Sequence, residues 1–294
     1  MREILVSGRI LSFDEQDRII AVRNNNIIRI YYLQRSMLNQ IGKYIVRGRF
    51  IQFYVKDEYR IYRGRKVYTV EYVIKIMAIR YRKNVVFYDY KKIQSGTKAL
   101  INDLKYKMFL DLEMSMHPFR KDKNFKQEII QVGIHLVDEN NKLVYKYNQV
   151  IAPTIHKKLT KRTLKFLTIT QEDVNFGIPF SEFYDTFTKL IEEYDPAIIV
   201  WGRNDFLALR EAYKINRLPS LRKKTRYINL LKLHRNYFNL KNDIGLFNAL
   251  RLYEDAPDAQ THNAYEDAYV TYMIFKGFKK VVNGMMTVDL TDFK

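Results

Sequence analysis

Met108-Phe109-Leu110-Asp111-Leu112-Glu113-Met114 is an apolar run with two acids set into it. Side chains alternate along a strand, so Asp111 and Glu113 point the same way, about 7 Å apart. On a central strand two such carboxylates repel each other and lose hydration. A divalent cation removes both penalties. By itself the pair also suits an exposed strand end, so its meaning depends on what the rest of the chain brings to it.

Strands and helices alternate on either side of this run. Glu128–Val137 and Lys142–Ile151 read as two further strands joined by the Asp138–Asn141 turn, a hairpin. Ser181–Tyr194 spaces Phe183, Phe187, Leu190 and Ile191 as an amphipathic helix does. Ala197–Trp201 is a buried-strand run, Phe206–Ile215 is helical, Tyr227–Leu230 is a short strand and Asn263–Phe278 is a closing helix. On that helix Asp267 shares a stripe with Val270 and Ile274, although a small rotation would turn Glu266 inward instead. His262 precedes Asn263, a good N-cap, and suits either a structural hydrogen bond or a general base. Asp205, after the strand and Gly202-Arg203-Asn204, suits a first helical turn as well as a ligand set.

The joint order is far more specific than any member. Asp111-x-Glu113, then Asp205 after a strand, then His262-x4-Asp267 on the last helix resembles the DEDDh, or DnaQ-like, 3′→5′ exonucleases. Ile151-Ala152-Pro153, Leu167-Thr168-Ile169-Thr170-x-x-Asp173-Val174 and Gly245-Leu246-x-x-Ala249-Leu250 extend the likeness over about Lys107–Lys279. The pattern is most similar to the exoribonuclease branch, including KapD-like proteins. It departs from proofreading enzymes in Trp201-Gly202-Arg203-Asn204-Asp205, and in Met114-Ser115 where a Thr often follows the Glu. The resemblance implies an α/β ribonuclease-H-like domain with a mixed five-stranded sheet. It also implies a two-metal mechanism, with Asp111 shared, Glu113 and Asp267 on one ion, Asp205 on the other and His262 as base. All-oxygen ligands favour Mg²⁺ or Mn²⁺ over Zn²⁺. Met114, Ser115 and Asn204, next to the acids, are expected to touch the strand.

The front of the chain has a different rhythm. Arg2–Phe13, Arg18–Arg23 and Ile27–Leu33 read as strands, Gln34–Gln40 as a short helix, and Tyr44–Val55 and Arg65–Ile79 as two longer strands with a Lys56–Gly64 connection. That order fits a small all-β, OB-like barrel over 1–80, with an SH3-like barrel as the alternative. The basic stretch 81–106 reads as a linker and 107–294 as the exonuclease domain.

Charge is uneven. The chain carries +19 overall, and residues 1–105 hold 22 Lys+Arg against 9 Asp+Glu. Among these cations stand many of the 23 tyrosines, with Tyr54, Tyr59, Tyr62 and Tyr68 the candidate stacking residues. Rings that stack on bases beside cations that hold phosphates favour single-stranded nucleic acid over a membrane surface, and the resemblance to the exoribonuclease branch puts RNA ahead of DNA. No run is long and apolar enough to span a bilayer, and zero Cys excludes disulfides and thiolate metal sites and suits a cytoplasmic setting. Competing readings are a DNA exonuclease of proofreading or repair type, a non-catalytic nucleic-acid-binding protein on the same scaffold, and an adaptor built on the basic front half.

Overall fold

The computed structural model describes residues 4–118, 125–167, 169–255 and 262–291. Arg2 and Thr168, which the sequence reading used, lie outside these. Two compact units emerge: Met1–Thr97 with Asn236–Asn242, and Lys98–Arg235 with Asp243–Asp292.

In the first unit the strands are β1 (Ile4–Asp14), β2 (Ile19–Asn24), β3 (Ile27–Tyr32), β4 (Phe50–Tyr62), β5 (Arg65–Arg80) and β6 (Lys83–Asp89), with helix α1 (Arg35–Ile41) between β3 and β4. β1 pairs with β2 and β4, β2 with β3, β4 with β5, and a parallel contact of β3 with β5 closes the ring. Five strands closed in this order, with a helix after the third, form the expected OB-like barrel. Its inside is apolar: Ile10, Ile20, Leu33, Ile51, Phe53 and Val70 are fully or nearly fully buried.

Two boundaries differ from the sequence reading. β4 runs on to Tyr62, and only Arg63 and Gly64, both at positive φ (48° and 75°), make the turn. That two-residue turn pairs Tyr62 with Arg65, so the stretch expected to be a connection is a long hairpin arm. The stretch 81–106, expected to be a linker, holds β6 and helix α2 (Tyr90–Asn102). Tyr81 and Arg82, at φ 49° and 60°, turn the chain so that β6 pairs with β5, with no glycine to announce the turn.

The second unit is the α/β half. Its strands are β7 (Lys107–Met114), β8 (Ile129–Val137), β9 (Leu143–Ala152), β10 (Ile178–Pro179), β11 (Ala197–Val200) and β12 (Arg226–Asn229). Its helices are α3 (Lys161–Leu167), α4 (Gln171–Asn175), α5 (Phe180–Tyr194), α6 (Asn204–Ile215), α7 (Leu230–Phe238), α8 (Leu246–Leu250) and α9 (Ala264–Val282). The sheet order is β10-β9-β8-β7-β11-β12, antiparallel across β9-β8-β7 and parallel from β7 to β11 and β12. This is the mixed ribonuclease-H-like sheet, with two-residue β10 added to the five strands expected. No helix among the described residues is long and apolar enough to cross a membrane.

Each face of the sheet meets a different helix. Met108, Leu110 and Leu112 of β7 and Val132, Ile134 and Leu136 of β8 join the core under α5, with Phe183 and Phe187. The opposite face of β7 meets α9, where Phe109 packs against Tyr272 and Phe275 with ring centroids 5.2 and 5.4 Å apart. The period of two then sends Asp111 and Glu113 to the α9 side as well.

Candidate active site

Asp267 lies two turns before Phe275 on α9, on the stripe that meets the sheet. It is 2% exposed, whereas Glu266 is exposed, which settles the rotation of the helix. Three alternate residues of β8 set the height of that first turn. Gln131 opposes Glu113, and its Oε1 accepts the Ala264 N–H at 3.1 Å. Gly133 opposes Asp111, and a Cβ there would overlap the Ala264 carbonyl and the Tyr265 backbone. His135 places Nε2 3.2 Å from the Tyr265 carbonyl, with its ring 4.4 Å from that of Tyr265. Asn263 caps the helix by accepting the Tyr265 and Glu266 N–H groups at 3.0 and 3.2 Å.

Sequence reading missed this seat, although an isolated Gly inside an otherwise apolar strand, with polar residues two positions away on either side, is the signal for a close backbone approach. Gly133→Ala must push the first turn of α9 off the sheet. Turnover is expected to fall on the order of a hundredfold while the circular dichroism spectrum stays that of a folded protein. Unchanged turnover would show that the helix is not seated this tightly.

Asp205 arrives from the other side. The β7–β11 ladder ends at the Phe109–Ile199 pair. Past that point Asp205 Oδ1, in the first turn of α6, accepts the Leu112 N–H at 3.0 Å. The carboxylate thus occupies the position on β7 that the departing strand leaves, and it is 5% exposed.

These acids feel one another. Burial, then Asp205, Asp267 and Glu113, hold the Asp111 carboxyl well above the usual carboxylate range. Burial and then Asp267 and Asp205 push Glu113 up to about 8. Asp205 rises to about 7, because burial and Asp267 outweigh the backbone hydrogen bonds that favour its charged form. A cluster of oxygen donors that resists ionisation without a counter-charge fits hard divalent cations.

His262 stands just outside α9 in a left-handed conformation (φ 50°). Ligand atoms of Glu113, His262 and Asp267 lie within 4.8 Å of one another, so the imidazole belongs to the cluster. The ring stacks on Phe166 of α3, centroids 4.0 Å apart and planes 29° from parallel. Phe166 was not legible from spacing, since its contact with His262 is made only by the fold.

The expected strand contacts divide. Asn204 is exposed and Met114 partly so, both beside the acids. Ser115 is 1% exposed, with its Oγ accepting the Glu128 N–H at 2.9 Å, which ties the end of β7 to the approach to β8. In the barrel, Tyr54 lies on the outer face of β4, in a ring series with Tyr72 and Tyr90. Tyr59 and Tyr68 pair across the hairpin arm, and Tyr62 donates its hydroxyl to Asp17 Oδ2 at 2.6 Å.

Four carboxylates at the open end of the central strand of a ribonuclease-H-like sheet, with an imidazole among them, define a nuclease. Residues 108–275 match the family model described as Exonuclease (RNase_T). The chain belongs to this exonuclease family and is a hydrolase acting on nucleic acid, and its family uses divalent metal ions. It is 30% identical over 171 residues to the probable 3′-5′ exonuclease KapD of Bacillus subtilis (strain 168), spanning 58% of this chain and 82% of that protein. The fold is similar to the nuclease domain of 3′hExo, a DEDDh family member bound to rAMP. There the TM-score is 0.53 and the identity 18%, over 64% of this chain and 97% of that one. It is also similar to cell-death related nuclease 4, with TM-score 0.50 and 21% identity, over 63% of this chain and 67% of that one.

Proposed function

We propose that the chain is a 3′→5′ exonuclease that shortens single-stranded nucleic acid, RNA ahead of DNA, and releases nucleoside 5′-monophosphates. The observation that carries this reading is the convergence of Asp111, Glu113, Asp205, Asp267 and His262 from β7, α6, α9 and the approach to α9. Four carboxylates offer the charge to balance two divalent ions, Mg²⁺ or Mn²⁺. Asp111, between the others, would be shared, Glu113 and Asp267 would serve one ion, and Asp205 the other. Bound there, such ions lower the pKa of an attacking water and steady the charge on the leaving oxygen.

His262 would take the proton of the attacking water as a bond forms from its oxygen to the terminal phosphorus. The bond from phosphorus to the 3′ oxygen of the preceding nucleotide breaks, which leaves the phosphate on the 5′ side of the released nucleotide. Phe166, stacked on the imidazole, would fix the ring for that transfer. Asn204 and Met114 would contact the strand, and the basic OB-like barrel would hold its remainder. The absence of Cys suits work in a reducing cytoplasm.

The RNA preference rests on the likeness of the acid and His pattern to the exoribonuclease branch, and one fold neighbour, a DEDDh family member, is bound to rAMP. Matched single strands of RNA and DNA labelled at the 5′ end test it. RNA is expected to shorten stepwise from its 3′ end with Mg²⁺ or Mn²⁺, DNA more slowly, and neither with EDTA. Faster loss of DNA would place the chain with repair or proofreading enzymes, and no loss of either would mark a non-catalytic binding protein.

A further inference from the structure

We propose that the first unit grips single-stranded nucleic acid in a cleft on the outer face of the barrel, where Tyr54, Tyr72 and Tyr90 form a ladder of rings. The identity of the ligand rests on the nuclease reading above. The location of the cleft rests on the unit's own geometry.

β4 sends Ile51, Phe53 and Val55 into the barrel core, so Gln52, Tyr54 and Lys56 point outward. Tyr54 lies opposite Tyr72 of β5 in register, their ring centroids 5.1 Å apart. Tyr90, at the start of α2, adds a third ring 5.8 Å from that of Tyr72. Its hydroxyl donates to the Tyr237 carbonyl at 2.7 Å, which holds the ring in place. The three rings line a cavity of about 860 Å³ formed wholly by residues of the first unit. That is near the upper end of small-molecule sites, and rings in series provide more than one stacking platform.

The charge of the cleft is one-sided. Lys56, Lys75, Lys91, Lys92 and Lys241 line it, against Glu71 and Asp89. Asp89 is already committed, 3.2 Å from Lys75 Nζ and accepting the Lys92 N–H at 3.2 Å. Burial and then the nearby Lys56, partly offset by Glu58 and Glu71, hold the Lys241 ammonium below its usual range, and a phosphate beside it would favour its charged form. Aromatic platforms for bases beside ammonium groups for phosphates are the recognition chemistry of single strands.

Tyr59 and Tyr62, on the hairpin arm, already have partners of their own. Lys66 Nζ sits 4.4 Å from the centre of the Tyr59 ring, and Arg63 lies 5.0 Å from that of Tyr62. The hydroxyl of Tyr62 is held by Asp17.

The test uses full-length protein carrying Asp111→Asn, so that the strand survives, and a fluorescent single-stranded RNA of about 20 nucleotides. Tyr54→Leu and Tyr72→Leu are each expected to weaken binding at least about tenfold, whereas Tyr54→Phe and Tyr59→Leu stay within about twofold of the parent. Lys56→Gln with Lys241→Gln should lower the slope of log affinity against log salt by about 1.4, the loss of two phosphate contacts. Binding within about twofold for both Leu variants, with melting temperatures unchanged, would overturn the proposal, as would loss confined to Tyr59→Leu. Displacement of the RNA by micromolar AMP would overturn it in favour of a mononucleotide pocket. With Asp111 intact, the parent protein is expected to shorten the same single-stranded RNA from its 3′ end. Failure of the parent to cut any strand would sink the nuclease reading and leave the binding result standing.

Discussion

Asp111→Asn and Asp267→Asn are each expected to lower exonuclease turnover by at least about a thousandfold and to make the metal-free protein more stable. Both effects have one cause. Asp111 is ringed by Asp205, Asp267 and Glu113 in a buried setting, so its charge is unfavourable until a cation arrives. An amide of the same shape relieves that repulsion and forfeits the cation. An ordinary structural carboxylate would behave otherwise, since its loss would lower stability and spare turnover. Activity near that of the parent in either variant would mean that the chemistry lies elsewhere.

His262→Ala is expected to cost about a hundred- to ten-thousandfold in rate, the usual worth of a positioned general base. Its ring nitrogen lies within 4.8 Å of ligand atoms of both Glu113 and Asp267, so a second role as a metal ligand is geometrically open. Mn²⁺ titration, followed by the rise in melting temperature, separates the two. A base predicts that Mn²⁺ affinity survives the substitution within about threefold, because the carboxylates do the holding. A ligand predicts that affinity falls with the rate.

What sequence reading captured, and what it missed, follows from the range of each signal. Asp111 and Glu113 were legible because charge inside an apolar strand is locally anomalous. Asp205 and Asp267 were ambiguous singly, as a cap and as one side of an undetermined helix rotation, and became interpretable only in their joint order. The phase of α9 is fixed by contacts with β7 and by Gln131, Gly133 and His135 on β8, more than a hundred residues away in the chain. Periodicity within α9 carries no record of them. The stack of Phe166 on His262 is of the same non-local kind. In the barrel the strand order was read correctly, but turn chemistry was not. Arg63-Gly64 and Tyr81-Arg82 each take positive φ at both positions, and only the first contains a glycine to announce it. Hence sequence alone ends β4 too early and reads β6 as linker.

The most direct test is the melting temperature of the metal-free protein, measured between about pH 5 and about 8, with and without Mg²⁺. Burial and neighbouring carboxylates push Glu113 up to about 8 and Asp205 up to about 7 in the folded chain, both well above the usual carboxylate range. Across that window the folded state binds more protons than the unfolded one, so stability conferred at low pH is lost as pH rises. The melting temperature in EDTA is expected to fall with rising pH, Mg²⁺ to restore it most at the alkaline end, and Asp111→Asn to flatten both responses. A melting temperature independent of pH in EDTA and unmoved by Mg²⁺ in the parent protein would contradict a metal-binding carboxylate cluster at Asp111, Glu113, Asp205 and Asp267.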